Sequence, residues 1–320
     1  MLFLKKIFLK IIFCYIIISI DLSTSSQAEK HLSGRITSGY DCSIEEYSLL
    51  ASIEFGSRQY CGGSLIDNYI VLTAAHCCEN FDKSNLHQLT AYFGQQTWLK
   101  DYEQSSPIDD FIMHKNYSDR NMNADICVLK LKKRIYPSNK VSISKLVSKE
   151  IFHDMMYKHT CKVTTVIGFG DQILKARMKP PGKHEGWRDR VKCGSLKLVD
   201  KQSCQEELVI IELTNSSFCA MDAKGKSPIA VDACQGDSGG PLYCNGFQIG
   251  IVSGGWGCGN PGSPGVYCRI DMFREFIEES IIRFKYLDEN FKRRNLGGGC
   301  EMFRANIFLF LFIVILKFIK

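Results

Sequence analysis

Cysteine narrows this chain more than any other feature. Fifteen of the 320 residues are cysteine. A reducing cytosol gives no reason to keep so many thiols unless they bind metal, and the Cys-x-x-Cys pairs of a zinc module are absent. The count points to a cross-linked protein of an oxidising compartment. At 45 % hydrophobic and 23 % charged residues, a packed core is attainable and global disorder is excluded. Twenty-six glycines and eight prolines without a Gly-X-Y period exclude a collagen-like chain. Forty basic against 34 acidic residues leave a charge of +6, too little for a nucleic-acid partner to be expected.

Both ends of the chain carry apolar runs. Lys5, Lys6 and Lys10 lead into an apolar stretch at 11–20, followed by small and polar residues up to Ala28. Residues 1–28 read as a signal peptide, with an uncleaved membrane anchor as the alternative. The tail, 286–320, has three glycines at 297–299 and an apolar run at 307–316. It reads as a membrane tether, a glycolipid-anchor signal ahead of a short helix. Ten residues reach only ~15 Å as a helix against a hydrocarbon core of ~30 Å. Packing of the tail onto the domain is the alternative.

Between the ends, strand-like runs at 49–55, 63–72, 89–92, 126–131, 163–167, 247–253 and 265–270 are separated by turns. Many short strands with Gly- and Pro-rich turns indicate an all-β antiparallel sandwich or barrel. No repeat of 20–50 residues is visible, which excludes solenoids and propellers. Phe273, Phe276, Ile277, Ile281 and Phe284 recur at helical spacing behind a capping Asp271, so a helix closes the domain. The basic loop at 171–192 reads as a solvated surface, with docking of acidic partners as the alternative.

Three segments carry the chemistry: Leu72-Thr73-Ala74-Ala75-His76-Cys77, Ala124-Asp125-Ile126-Cys127-Val128-Leu129, and Gly236-Asp237-Ser238-Gly239-Gly240-Pro241. Here the chain resembles the chymotrypsin/trypsin family of serine proteases, with His, Asp and Ser in the family's order, over roughly residues 36–285. The resemblance implies two six-stranded antiparallel β-barrels, at about 36–145 and 156–270, with a C-terminal helix. The residue types suit the chemistry. A serine hydroxyl is a poor nucleophile until a base takes its proton, so Ser238 needs His76. Asp125 would hold the imidazole in the right tautomer and stabilise imidazolium. Glycine at 236 lets its N–H and that of Ser238 converge on the developing oxyanion. By the same resemblance Ser253 orients Asp125.

Asp232, six residues before the nucleophile, falls at the base of the family's primary specificity pocket. Glycines at the wall positions, Gly255 and Gly265 by resemblance, leave a deep slot ending in an acid, so cleavage after Arg or Lys is expected. Protein or peptide substrates with that residue before the scissile bond, and protein protease inhibitors, are the expected partners. The chain departs from the family at Ser253-Gly254-Gly255, where Ser-Trp-Gly is usual, with Trp256 displaced. The wall for upstream substrate residues is therefore open or rebuilt. Arg35-Ile36-Thr37-Ser38-Gly39 resembles the activation site. Cleavage after Arg35 would release a propeptide, 29–35, and free an ammonium on Ile36 to pair with Asp237.

Family members often hold calcium in a loop with two glutamates. The matching stretch at 94–103 offers Gln95, Gln96 and Glu103, so no metal and no cofactor is expected. Resemblance supplies the pairs Cys61–Cys77, Cys42–Cys193, Cys161–Cys244, Cys204–Cys219 and Cys234–Cys258. Cys78 and Cys127 each lie two residues past a group that must touch the other's neighbour, which suggests a sixth bridge, with two buried thiols as the alternative. Cys268 and Cys300 are left unpaired. The sequons at Asn116 and Asn215 are acceptors for glycans. A catalytically silent homologue, the competing class, is opposed by the intact His76, Asp125, Ser238 and Gly236. Asp232 opposes a chymotrypsin-like preference.

Overall fold

The computed structural model describes residues 36–56, 58–98, 101–170, 190–208, 212–224 and 229–295, with side chains up to Tyr286. The signal peptide, the propeptide with Arg35, nearly all of the basic loop and the tail beyond residue 295 lie outside the described residues.

Thirteen strands are present among the described residues: β1 (Tyr40–Asp41), β2 (Leu50–Phe55), β3 (Arg58–Asp67), β4 (Ile70–Thr73), β5 (Leu89–Phe93), β6 (Gln104–Met113), β7 (Cys127–Leu131), β8 (Thr164–Gly168), β9 (Lys192–Val199), β10 (Ser217–Asp222), β11 (Pro241–Cys244), β12 (Phe247–Gly255) and β13 (Gly265–Arg269). Strands β2-β3-β4-β7-β6-β5 form one closed antiparallel barrel. Strands β9-β10-β13-β12-β11-β8 form the second, closed by the β8–β9 ladder, and β1 joins the start of β9. Closure leaves neither barrel with a long unpaired edge. Between the barrels, Leu49 and Leu50 pack in one buried cluster with Ile167, Phe169 and Tyr243, each large apolar side chain contributing about 1.5–3 kcal/mol. The Ser144 hydroxyl crosses the same junction, 2.9 Å from the Tyr243 hydroxyl and donating to Gln248 Oε1 at 2.7 Å.

Several elements differ from the sequence expectation. The run at 63–72 is two strands, β3 and β4, reversed at Asn68 and Tyr69, where Asp67 Oδ1 accepts from the Tyr69 N–H at 3.3 Å. Strand β6 is masked in the sequence by Pro107, Asp109 and Asp110. A bulge between Ile108 and Asp110 absorbs the irregularity, and Asp109 pairs with Lys130 of β7 at 2.8 Å. Strands β9, β10 and β11 are also absent from the expected set: β9 and β10 mix in polar residues such as Lys192, Ser195 and Asp222, and β11 is only four residues long.

Two short helices are capped by side chains. Ser148 accepts from Ile151 N–H at the start of α1 (Lys149–Tyr157), and Asp200 from Ser203 N–H at the start of α2 (Lys201–Glu207). Asp271 does not act simply as a helix cap. Its buried carboxylate takes a fork of two bonds from Arg269, at 3.0 and 2.6 Å, within a 3-10 turn, Asp271–Phe273. The C-terminal helix, α3 (Arg274–Asn295), is described by itself. Ile277, Ser280 and Phe284 are its buried positions, a stripe at helical spacing.

Disulfides join Cys42 to Cys193, Cys61 to Cys77, Cys78 to Cys127, Cys161 to Cys244, Cys204 to Cys219 and Cys234 to Cys258. The Cys42–Cys193 bridge fastens the segment behind β1 onto β9. Cys268, inside β13, is a buried thiol.

Candidate active site

The turn after β4 delivers His76, and the connection into β7 delivers Asp125. The β4–β7 ladder pairs Thr73 with Cys127, which brings the residues just beyond each strand together. Asp125 is fully buried, and three groups satisfy its carboxylate. The His76 N–H donates to Oδ1 at 2.9 Å, His76 Nδ1 to Oδ2 at 2.8 Å, and the Ser253 hydroxyl to Oδ2 at 2.5 Å. A carboxylate on Nδ1 keeps that nitrogen protonated and leaves Nε2 as the basic atom. The backbone just before Asp125 is pinned as well, since Ala124 N–H donates to the Ser216 hydroxyl at 3.1 Å.

Ser238 lies in the turn that precedes β11. Its carbonyl accepts from Gly62 N–H of β3 at 2.7 Å, and Cys77 Sγ, next to His76, lies 3.7 Å from the same oxygen. First-barrel groups therefore hold the second-barrel serine's peptide beside the segment that carries His76. Gly236 has φ +93°, and a Cβ there would meet Gly170 at 3.3 Å and Gln59 at 3.4 Å, so only glycine fits. Among the described residues, neither the Gly236 nor the Ser238 N–H donates to another backbone group. Asp237 is fully buried, accepting from Gly170 N–H at 2.7 Å and Cys234 N–H at 2.9 Å. Ile36 is equally buried, packed on the backbone of Gly194 beside Val231. Thr37 and Asp232 exchange backbone bonds at 2.8 and 3.2 Å.

Asp232 lies against a stretch of β12 and β13 that carries no side chains. Gly255 and Gly265 pair across β12 and β13, and a Cβ on Gly265 would lie 3.2 Å from Asp232 Oδ1. Gly259 N–H donates to Oδ2 at 3.0 Å, and the Cys234–Cys258 bridge ties the two rims together. Burial pushes the Asp232 carboxyl up to about 6, against the pull of the Gly259 and Ala233 N–H groups.

One group here was not singled out in the sequence. The Tyr267 hydroxyl, two residues past Gly265, is buried beside the slot, and burial followed by the Asp232 and Asp237 charges drives its pKa well up. The Cys268 thiol is pushed up by burial and then by the charge of Asp125. Tyr267 was legible in principle, since residues two apart on a strand share a face. At the departure, Gly254 faces Met122 instead of an aromatic ring of its own. A Cβ on Gly254 would stand 3.5 Å from Met122 Cε, and Trp256 is 59 % exposed.

In the loop expected to lack a metal, the described Gln96 and Glu103 have protein partners. Gln96 Oε1 accepts from Ile44 N–H at 2.8 Å, and its Nε2 donates to Cys42 O at 2.9 Å. Glu103 is engaged with the Ser138 hydroxyl at 2.5 Å. These groups are engaged within the protein. Among the described residues, Cys61, His76 and Cys77 cluster as metal-type donors, but the two sulfurs are bonded to each other.

Beneath this loop the Glu54 carboxyl is buried. Trp98 Nε1 donates to Oε1 at 2.8 Å, the Gln95 amide lies alongside, and burial raises the acid to about 7. The folded state thus holds this proton more tightly than the unfolded chain. Its contribution to stability should be full below about pH 4.5 and fall as pH rises to about 7. Glu54→Gln should remove that slope and raise the melting temperature at pH 8 by roughly 3–6 °C. The same pH slope in thermal scans of variant and parent would refute this.

Asn116 and Asn215 are both exposed. Asn116 lies in the connection between β6 and β7, and Asn215 Oδ1 accepts from Lys201 Nζ at 2.9 Å.

Two closed barrels with His, Asp and Ser gathered at one place define a serine hydrolase of the two-barrel class. The family model described as Trypsin matches residues 36–277. Trypsin-3 of Salmo salar is 30 % identical over 253 residues, 77 % of this chain and 93 % of that protein. Hypodermin-B of Hypoderma lineatum is 32 % identical over 255 residues, 79 % of this chain and 90 % of that protein. The solved structure of neuropsin, a serine protease expressed in the limbic system of mouse brain, superposes with a TM-score of 0.61. It shares 26 % identity and covers 76 % of this chain and 99 % of its own. The chain belongs to the trypsin family. It is a serine endopeptidase, a hydrolase acting on protein or peptide substrates.

Proposed function

We propose that the protein cleaves after Arg or Lys through an acyl-enzyme, and that it is secreted as a zymogen opened by cleavage after Arg35. The observation that supports the specificity is a buried Asp232 carboxylate beside the paired glycines Gly255 and Gly265, which we read as the foot and walls of a slot. An Arg or Lys side chain ends in the cation such an acid needs, whereas an aromatic ring would leave the charge unpaired.

In this reading the Ser238 hydroxyl attacks the scissile carbonyl while His76 Nε2 takes its proton. The Gly236 and Ser238 N–H groups receive the oxyanion. His76 returns the proton to the leaving amine, and water then releases the acyl group by the same route. Asp125 stays ionised throughout, holding the ring through Nδ1. Residues upstream of the cut meet the flexible Met122 thioether over bare Gly254 backbone, a surface that adapts to varied side chains.

Activation follows from the buried Ile36 and Asp237. A new ammonium on Ile36 is the counter-ion that Asp237 suits, and their pairing would fix the turn carrying Gly236 and Ser238. The exposed Asn116 and Asn215 are read as glycan acceptors, and the tail at 297–320 as a surface tether on sequence pattern alone.

The test is expression in animal cells of the full chain, an Arg35→Gln variant, and a chain ending at residue 296. The full chain should gain activity on Arg and Lys amides only when its N-terminus becomes Ile36, and Arg35→Gln should stay inactive. Full activity of Arg35→Gln without cleavage would refute the zymogen reading. Full-length protein found free in the medium with its C-terminal peptide intact would refute the tether.

A further inference from the structure

We propose that Gln59 is a positioning residue that locks the oxyanion-binding turn from the opposite barrel. The proposal rests on reading the Gly236 and Ser238 N–H groups as the oxyanion donors. Gln59 is the second residue of β3, and its side-chain Nε2 donates to the Gly236 carbonyl at 2.8 Å. Three residues along the same strand, Gly62 N–H donates to the Ser238 carbonyl at 2.7 Å. One first-barrel strand thus grips the carbonyls on either side of Asp237.

The two grips do different work. The Gly62 bond is backbone to backbone, calling on no side chain at 62, and it fixes the nucleophile's own peptide. The Gln59 bond depends on a side chain, and it fixes the peptide that follows Gly236. Glycine is needed at 236 for its φ of +93°, yet the same freedom lets the Gly236 N–H turn away from a developing oxyanion. The carbonyl lies in the Gly236–Asp237 peptide and the donor N–H in the Gln235–Gly236 peptide; with the first tied to Gln59, and Gln59 Cδ 3.4 Å from where a Cβ would be, the Gly236 Cα is anchored on one side and the donor peptide is left only its rotation about φ before substrate arrives. Donors aligned in advance need no reorganisation at the moment of reaction. The carbonyl acceptor dictates which end of the amide faces it, so an acid of the same shape at 59 would oppose two acceptors. Being neutral, Gln59 holds this peptide equally at every working pH.

The test uses the full-length chain cleaved after Arg35, with Gln59→Met, which keeps length and loses the donor, and Gln59→Glu. Three readouts separate positioning from general loosening: kcat and KM on an Arg amide, inhibition by a peptide argininal, and inhibition by benzamidine. The argininal adds to Ser238 and places an oxyanion in the hole, whereas benzamidine occupies only the Asp232 slot.

In Gln59→Met, kcat and argininal affinity should fall together by about five- to thirtyfold, with KM and benzamidine affinity within about twofold of the parent. Gln59→Glu should fall further in the first pair alone. Unchanged kcat and argininal affinity in Gln59→Met would overturn the proposal, as would a parallel loss of benzamidine affinity. If the unaltered protein fails to bind the argininal at all, the oxyanion reading itself is wrong and this proposal goes with it.

Discussion

Ser238→Ala in the protein cleaved after Arg35 should lose roughly 10⁴- to 10⁶-fold in kcat on Arg amides. Without the hydroxyl no acyl-enzyme forms, and what remains is the contribution of substrate binding and the oxyanion donors. His76→Ala should cost about as much, and the double variant scarcely more than either, because the two groups act as one device. Benzamidine should bind Ser238→Ala as it binds the parent, since the slot is intact. Full turnover in Ser238→Ala would dismiss the nucleophile assignment.

Replacing Asp232 by serine should lower kcat/KM for Arg and Lys substrates by about 10³- to 10⁵-fold, because a cation would then be buried without its partner. Cleavage after apolar residues should not suffer in proportion. A pH effect accompanies the mutational one. With the carboxyl raised to about 6, a proton and the substrate cation compete for the same oxygens. Benzamidine affinity should therefore hold above pH 6 and drop about tenfold per unit below it. In Asp232→Ser this dependence should vanish along with the affinity. An unaltered preference for Arg would refute the slot's role.

The fold was legible because three motifs lie in a fixed order and alternating strands separate them. What escaped was set by context. Residues 104–113 form β6 although Pro107, Asp109 and Asp110 argue against a strand, since neighbours on both sides complete the ladder. Glu54 falls within an apolar run and gives no hint that its carboxyl is sealed under Trp98. At the site, His76, Asp125 and Ser253, which motif and resemblance had named, are in contact, whereas Gly259 and Tyr267 around Asp232 had not been singled out. Gln59 could not be singled out, since an isolated glutamine in a polar hairpin has no pattern of its own. Its role emerges only once β3 of one barrel meets the turn of the other.

Cys77 and Cys78 are adjacent in the chain yet serve different fastenings, one to Cys61 on β3 and one to Cys127 on β7. Two thiols side by side invite exchange, because each lies within reach of the other's partner during oxidation. Swapping them gives an isomer of identical mass and composition in which the backbone around His76 must shift by a residue. A refolded preparation can therefore be homogeneous on a balance and in a mass spectrometer while only a fraction of its molecules can be acylated. For anyone producing the protein, the quantity that measures success is the number of titratable serines per molecule.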